Sequence, residues 1–288
     1  MTETASDLAL LFPGQGAAEP AMRELVAEHR PDLLALVTEL DGEDPFPRLD
    51  EGTRFAQPAI YCAALAGFES LGRPSAGRYA GHSLGEITAL AASGALAEAD
   101  GLRAVVARGR LMDEAGAREL GGMVAVGGER ERAAELAQRS GLELANEKSP
   151  GQFVLSGSVE GLGRALEQAR SLGLRAKRLP VAGAFHSLAM APAAEPFRAE
   201  LEAIEFRPTG ATVISCVSAE PFSDDPRELL VAALTSPVRW ADVLRRLEAA
   251  GARRFLDLGP GKVLAGLARR TLDGADVRTR GDAQTGGS

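Results

Sequence analysis

Five consecutive residues, Gly81-His82-Ser83-Leu84-Gly85, carry the clearest chemical signal in this sequence. The pattern Gly-x-Ser-x-Gly is typical of a nucleophile elbow, a sharp turn from strand to helix that exposes the serine hydroxyl. Glycines are needed because bulkier residues clash in so tight a turn. Residues 78–80 can end a strand, and Glu86–Ala92 can form the following helix. A chance match is the alternative, because the chain contains 33 glycines.

A serine nucleophile needs a base, because its hydroxyl is too weakly acidic to attack unaided at neutral pH. The chain has three histidines, at positions 29, 82 and 186. His29 lies beside Arg30-Pro31 at a helix end, where a solvated surface position is expected. His82 adjoins Ser83, and neighbouring side chains in a tight turn diverge, which favours a loop-bracing role. By elimination, His186 is the predicted base, although a buried structural histidine is the alternative.

Acyl transfer also needs backbone N–H donors for the oxyanion of the tetrahedral intermediate. One donor is expected from Leu84, the residue after the nucleophile. The turn Pro13–Gly16 follows an apolar segment and can supply the other donor. The alternative is that this turn only ends the segment. No acid is an obvious partner for the histidine, since Asp242 and Asp257 are better explained as capping or solvated charges.

Composition sets outer limits on function. The 288-residue chain has 32 basic and 40 acidic residues, hence 32 − 40 = −8, which argues against a general nucleic-acid binder. Its two cysteines, Cys62 and Cys216, form no metal-binding spacing and no disulfide framework. The first residues are acidic where a signal peptide is basic, and no apolar run approaches the ~20 residues of a membrane span. These features predict a cytoplasmic protein that binds neither nucleic acid nor membrane.

The elements that must position these residues alternate between strand and helix, which predicts an α/β fold with a largely parallel sheet, like that of α/β-hydrolases. The middle of the chain has a different order, β-α-β-β-α-β, typical of a ferredoxin-like unit. We therefore expect a large catalytic domain formed by residues 7–121 and 183–273, with a small domain, 122–182, inserted in it. The glycine-rich residues 274–288 are predicted to be a disordered tail.

Several motifs together resemble the malonyl-CoA:acyl carrier protein transacylases and the related acyltransferase domains of polyketide and fatty acid synthases. In chain order the motifs are Phe12-Pro13-Gly14-Gln15-Gly16, Gln57-Pro58-Ala59, Gly81-His82-Ser83-Leu84-Gly85-Glu86, Arg108-Gly109, Ser149-Pro150-Gly151-Gln152, Gly183-Ala184-Phe185-His186-Ser187, Ser236-Pro237-Val238-Arg239-Trp240 and Gly259-Pro260-Gly261-Lys262-Val263-Leu264. They cover the chain from about residue 8 to residue 272. Any one of them is weak, but the ordered set is specific.

The resemblance implies roles that spacing alone does not. Ser83 would carry the acyl group as an ester, and His186 would act first as general base and then as general acid. The backbone N–H groups of Gln15 and Leu84 would form the oxyanion hole. A backbone carbonyl, rather than an acid, would orient the histidine, and the matching position is Arg239, where relatives often carry glutamine.

The resemblance also makes Arg108 the specificity residue, and its guanidinium suits the free carboxylate of a malonyl group. Without the resemblance, Arg108 would be interpreted as part of a solvated basic helix face. Gln57, His82 and Phe185 are predicted to line the substrate site with it. Phe185 resembles malonyl-selective members. One departure is Lys148, at a position where relatives commonly have asparagine.

The implied reaction is ping-pong transfer of malonyl from malonyl-CoA to the phosphopantetheine thiol of an acyl carrier protein, without metal or redox cofactor, by a monomeric enzyme. Carrier proteins are acidic, so Arg175, Lys177 and Arg178 are candidates for docking, with a solvated edge strand as the alternative. Fatty acid synthesis is the default pathway; a trans-acting polyketide acyltransferase and a malonate decarboxylase subunit remain open. The rival functions are a serine thioesterase and a non-catalytic module that binds carrier proteins.

Overall fold

The structure is a computed structural model and describes residues 7–19, 21–181 and 183–285. The strands are β1 (Leu8–Phe12), β2 (Arg78–Gly81), β3 (Gly121–Gly127), β4 (Glu143–Ser149), β5 (Gln152–Ser158), β6 (Arg175–Arg178), β7 (Thr212–Ile214), β8 (Arg254–Asp257) and β9 (Asp276–Thr279). The α-helices are α1 (Met22–His29), α2 (Pro31–Asp41), α3 (Thr53–Ser70), α4 (Gly85–Ala92), α5 (Glu98–Arg118), α6 (Arg130–Ser140), α7 (Val159–Gln168), α8 (Ala191–Glu202), α9 (Arg227–Ala232), α10 (Trp240–Ala249), α11 (Val263–Thr271) and α12 (Arg280–Thr285).

Five strands form a parallel sheet in the order β7-β2-β1-β8-β9. The central strand β1 reads Leu-Ala-Leu-Leu-Phe, and Ala9 to Phe12 are fully buried. A continuous apolar run of this kind is typical of a parallel strand with helices on both faces. Leu10 and Phe12 belong to the core beneath α3, and Ala9 and Leu11 to the core beneath α10 and α11.

Four strands form a separate antiparallel sheet in the order β4-β5-β3-β6. In chain order this unit reads β3-α6-β4-β5-α7-β6, which is the ferredoxin-like order. One face packs against α6 and α7 through a small apolar core that includes Val124, Val126 and Leu155. The predicted fold class, a parallel α/β unit with an inserted ferredoxin-like unit, is confirmed. Ala182, the predicted end of the insertion, lies outside the described residues.

The predicted disordered tail, residues 274–288, is wrong over most of its length. Residues 276–279 form β9, which pairs in parallel with β8, and residues 280–285 form α12. Val277 is buried in the core beneath α11, and burial of this side chain stabilises the strand despite its glycine-rich flanks. Residues 286–288 lie outside the described residues.

Helix α3 starts at Thr53, so Pro58 of the motif Gln57-Pro58-Ala59 lies inside the helix. The first turn places Thr53 and Gln57 one above the other on one face of the helix. None of the helices in the described ranges combines the length and the apolarity that crossing a membrane requires.

Candidate active site

The nucleophile elbow forms as the sequence predicts. Ser83 lies between β2 and α4 with φ of 56°, in the left-handed region that non-glycine residues rarely adopt. A Cβ atom at Gly81 would lie 1.8 Å from the carbonyl carbon of Gly85, and one at Gly85 would lie 2.2 Å from the carbonyl oxygen of Phe12. Both positions therefore require glycine, and the strained turn holds the serine hydroxyl out of the backbone.

His186 meets the serine as predicted by elimination. Its Nε2 lies 2.9 Å from Ser83 Oγ, although the two residues are 103 positions apart. Its Nδ1 donates to the carbonyl oxygens of Ala233 at 2.8 Å and Ser236 at 3.2 Å, so Nε2 is free to accept the serine proton. Burial, with Arg108 nearby, lowers the pKa of His186 to about 4, which keeps the imidazole unprotonated and able to accept a proton at neutral pH.

The prediction that the Arg239 carbonyl orients this histidine is wrong. The Arg239 carbonyl accepts from Val243 N–H in the first turn of α10, and the two carbonyls at Nδ1 come from the segment just after α9. Backbone carbonyls do take the place of the acid in a usual triad, but they belong to Ala233 and Ser236. The Arg239 side chain instead pairs with Asp242 and donates to the Ser218 carbonyl. Asp257 accepts from Gly259 and Ala265 N–H groups, as a structural carboxylate.

The two predicted oxyanion donors lie beside the serine. Gln15 follows the carboxyl end of β1, and Leu84 immediately follows Ser83; both line the same cavity as Ser83. Among the described residues, no acceptor is found for the backbone N–H of Gln15 or of Leu84. These N–H groups are therefore available to a ligand oxygen. The loop after β1 is held against the elbow by a hydrogen bond from His82 N–H to the Phe12 carbonyl at 3.0 Å.

Arg108 lies inside the site rather than on a solvated helix face. It is 2% exposed, and NH2 lies 3.2 Å from Ser83 Oγ. NH1 donates to Gln57 Oε1 at 2.6 Å, which fixes the orientation of the guanidinium. Burial lowers the pKa of Arg108 to about 10, so it still carries its charge at neutral pH. A buried guanidinium beside the nucleophile is suited to bind an anionic acyl group.

Gln57 connects Arg108 to the oxyanion loop. Gln57 Nε2 donates to Thr53 Oγ1 at 2.8 Å, and Thr53 Oγ1 donates to Gln15 Oε1 at 2.7 Å. This chain of hydrogen bonds links α5, α3 and the loop after β1. Thr53 belongs to none of the sequence motifs, and only its position four residues before Gln57 on one helix could have indicated it.

His82 braces the joint between the two sheets. Its ring lies 5.5 Å from the Trp240 ring, and Nε2 accepts from Asn146 Nδ2 of β4 at 2.8 Å. Burial lowers the pKa of His82 to about 3, so this ring stays neutral and accepts the amide proton. The residue also lines the cavity. His29 ends α1 beside Glu28, away from the cavity lining.

A cavity of about 1000 Å³ lies between the two sheets and contains Ser83 and His186. Arg108, Gln57, His82 and Phe185 also line it, so the structure brings every predicted substrate-contacting side chain to one place. The small sheet contributes Met123, Asn146 and Val154 from the face opposite α6 and α7, together with Lys148. Within residues 7–19, 21–181 and 183–285, no three His, Cys, Asp or Glu side chains are grouped in a way that could hold a metal ion.

Comparison with known proteins agrees with this site. Residues 17–283 match the acyl transferase domain family. A malonyl CoA-acyl carrier protein transacylase of Bacillus subtilis is 37% identical over 287 residues, covering 92% of this chain and 90% of the relative. A polyketide biosynthesis protein of Burkholderia thailandensis is 38% identical over 94% of this chain, which spans 25% of that protein's length.

Solved structures of similar proteins indicate the same family. The crystal structure of a malonyl-CoA:acyl carrier protein transacylase from Xanthomonas oryzae pv. oryzae superposes with a TM-score of 0.90 at 31% identity, covering 99% of this chain and 98% of that one. The chain belongs to the acyl transferase domain family and is an acyltransferase. The resemblance inferred from the ordered motifs, to the malonyl-CoA:acyl carrier protein transacylases, is confirmed.

Proposed function

We propose that this acyltransferase moves a malonyl group from malonyl-CoA to the phosphopantetheine thiol of an acyl carrier protein through a malonyl ester of Ser83. One observation carries the proposal: Ser83 Oγ lies within hydrogen-bond distance of both a neutral imidazole and a buried guanidinium. The imidazole activates the hydroxyl, and the guanidinium selects an acyl group that ends in a carboxylate. Relatives named as malonyl CoA-acyl carrier protein transacylases support the same substrates.

In the proposed first half-reaction, His186 Nε2 takes the Ser83 proton as the oxygen attacks the thioester carbonyl. The carbonyl oxygen becomes an oxyanion, and the N–H groups of Gln15 and Leu84 donate to it. The intermediate collapses, the C–S bond breaks, and the imidazolium returns its proton to the CoA thiolate. The carbonyls of Ala233 and Ser236 stabilise the imidazolium through Nδ1–H in the meantime.

The second half-reaction reverses these steps with a different thiol. The carrier's phosphopantetheine thiol loses its proton to His186, attacks the ester carbonyl, and displaces Ser83 Oγ, which recovers a proton. The same donors meet the oxyanion. No step requires a metal ion or a redox cofactor, so none is part of the proposal.

The exposed β6 edge of the small sheet, on the face opposite α6 and α7, is the proposed docking surface for the acidic carrier. Lys177 pairs with Ala125 and Arg175 with Gly127, so both side chains share the face that carries Met123 in the cavity wall. Both are exposed and have no ion-pair partner in the described structure, whereas most arginines here are paired. Arg178, the third docking candidate, pairs with Val124 and lies on the side of α6 and α7, so it is not part of this proposed surface.

Fatty acid synthesis is the proposed pathway, and trans-acting polyketide synthesis is the second candidate because a polyketide biosynthesis protein is among the similar proteins. A cytoplasmic location and a monomeric state remain predictions. Assay of the purified enzyme with candidate carrier proteins distinguishes the pathways, since the true carrier is malonylated with the higher kcat/KM.

Intact-mass measurement after incubation with malonyl-CoA tests the proposed reaction. We expect a malonyl adduct that is absent from Ser83→Ala and that moves to holo acyl carrier protein. Rapid release of free malonate without a carrier would instead identify a thioesterase. A protein that binds the carrier but never forms an adduct would be a binding module.

A further inference from the structure

Glu86 is a buried carboxyl group directly behind the nucleophile. It is the second residue of α4, it is 1% exposed, and its backbone N–H donates to the Ser83 carbonyl at 3.0 Å. Its Oε1 accepts from Cys216 N–H at 2.7 Å and from Ser215 Oγ at 3.0 Å. Its Oε2 is buried and has no hydrogen-bond partner among the described residues. The reaction proposed above gives this carboxyl group no role.

Arg108 is the cation that acts on Glu86, from α5. The Cys216 thiol, which follows β7, lies near both groups, and the His186 imidazole lies near Arg108. Glu86 and Arg108 are both buried beside Ser83, the first through its N–H on the Ser83 carbonyl and the second through NH2 at 3.2 Å from Ser83 Oγ. No hydrogen bond or ion pair joins their side chains among the described residues. Burial raises the pKa of Glu86 to about 7, opposed by the two donors and by Arg108, so Glu86 is the member of this pair whose pKa lies near neutral pH.

A substrate carboxylate on Arg108 would bring a second anion into this pair. Like charges in a water-poor site disfavour each other, and one carboxyl group in such a pair usually holds a proton. Glu86 can accept that proton at little structural cost. When the proton is on Oε2, Oε1 still accepts hydrogen bonds from Cys216 N–H and Ser215 Oγ. Protonation also removes the negative charge from a buried oxygen that has no donor to stabilise it.

We propose that Glu86 is the charge-compensating residue of the acyl site: it takes up a proton when a substrate carboxylate binds Arg108 and releases it when that carboxylate leaves. The inference rests on the proposed function, because it needs an acyl group that carries a carboxylate. It makes Glu86 a specificity residue that acts through Arg108, without touching the substrate. Affinity for a carboxylate-bearing thioester then rises as the pH falls through neutrality, while affinity for a neutral acyl thioester does not.

Isothermal titration calorimetry on the Ser83→Ala protein tests this, because binding is then measured without transfer. Malonyl-CoA is titrated at pH 7 in buffers of different ionisation enthalpy, so that the slope of the observed heat gives the number of protons taken up. Acetyl-CoA is the matched ligand, since it has the same CoA phosphates and no acyl carboxylate. We expect uptake of a fraction of a proton that is specific to malonyl-CoA and is lost when Glu86→Gln is added.

Equal proton uptake with the two ligands, or uptake that survives Glu86→Gln, overturns the role of Glu86. Failure of malonyl-CoA to bind at all would instead overturn the proposed function. Should the glutamine variant not fold, difference infrared spectroscopy on the Ser83→Ala protein decides the question. Binding of malonyl-CoA, but not acetyl-CoA, should then produce the band of a newly protonated carboxyl group, and its absence rejects the inference.

Discussion

The two sheets contribute to the site in different ways. The parallel sheet has helices on both faces, and the loops at its carboxyl edge hold Gln15 and Ser83 in fixed positions. The antiparallel sheet packs against α6 and α7 on one face, and its other face meets the large unit and forms a cavity wall that includes Met123 and Val154. The groups that react lie on the large unit, while the small unit supplies shape and charge. Substitutions in the two units should therefore differ in the size of their effect on the reaction.

The largest effect is expected at the Ser83–His186 pair. Ser83→Ala and His186→Ala should each lower kcat by at least about 10³-fold, because the nucleophile and its base act as a unit. Lys148→Asn, in the cavity wall from the small sheet, removes a charge that takes no part in the proposed chemistry and should change KM by only a few-fold. Steady-state assays with malonyl-CoA and holo carrier protein measure both. A loss at Lys148 as large as that at Ser83 would contradict the division.

Arg108 is expected to give the next largest effect. Arg108→Ala should lower the ratio of malonyl to acetyl transfer by about 10- to 100-fold, since a charge-assisted pair contributes roughly 1.5–3 kcal/mol. The control is Arg103→Ala, on the same helix but paired with Asp100 at the surface. Competition between the two CoA thioesters measures the ratio. An unchanged ratio in Arg108→Ala would remove it from the acyl site.

A smaller effect concerns the joint between the sheets. The pKa of His82 is lowered from 6.5 to about 3 in the folded protein, so between these values the unfolded chain binds more protons. The contribution of His82 to the free energy of unfolding is therefore complete above about pH 6.5 and falls as the pH decreases. Relative to His82→Gln, the parent should lose at least about 1.4 kcal/mol between pH 7 and pH 4.5, the equivalent of one pKa unit.

Urea unfolding of both proteins at the two pH values measures that difference, and the comparison cancels the titration of other groups. His29→Gln is the control, because His29 lies at the end of α1. A parent and a His82→Gln variant whose stabilities change in parallel with pH would show that the Asn146 bond does not require a neutral ring.

The smallest effect is expected at the exposed β6 edge of the small sheet. Arg175→Glu with Lys177→Glu should raise KM for the carrier protein a few-fold, more at low salt, without changing acylation of Ser83 by malonyl-CoA. Lys262→Glu with Arg270→Glu, at two exposed positions at the start and near the end of α11, is the charge-matched control. Equal effects of the two reversals would indicate general charge repulsion rather than a docking surface.

Sequence patterns predicted the structure best where contacts within a short segment, or a rare residue type, determine it. The glycines around Ser83 are required by contacts within the turn itself, and His186 could be found because only three histidines exist. The orienting carbonyls could not be found this way. Every residue has a carbonyl, so only the path of the chain after α9 decides that Ala233 and Ser236, rather than Arg239, reach Nδ1.

The C-terminal strand β9 also could not be predicted from its local sequence. Its glycine-rich flanks indicate disorder locally, but Val277 packs into a core made by residues far away in the sequence. The partners of Arg108 could not be predicted from the sequence either, because the helix face that carries it has the charges of a solvated face but is buried against α3. Burial of charged groups depends on tertiary contacts that no local pattern records.

The strand order has a consequence for how the chain folds during synthesis. The small unit is contiguous from residue 121 to 178 and contains mostly local pairings, so it can form early as the chain emerges. The central strand β1 is made before the small unit but pairs with β8, residues 254–257, which are made after it. The nucleophile-bearing sheet therefore stays incomplete until β8 has emerged from the ribosome, and until then one apolar edge of β1 is open to chaperones.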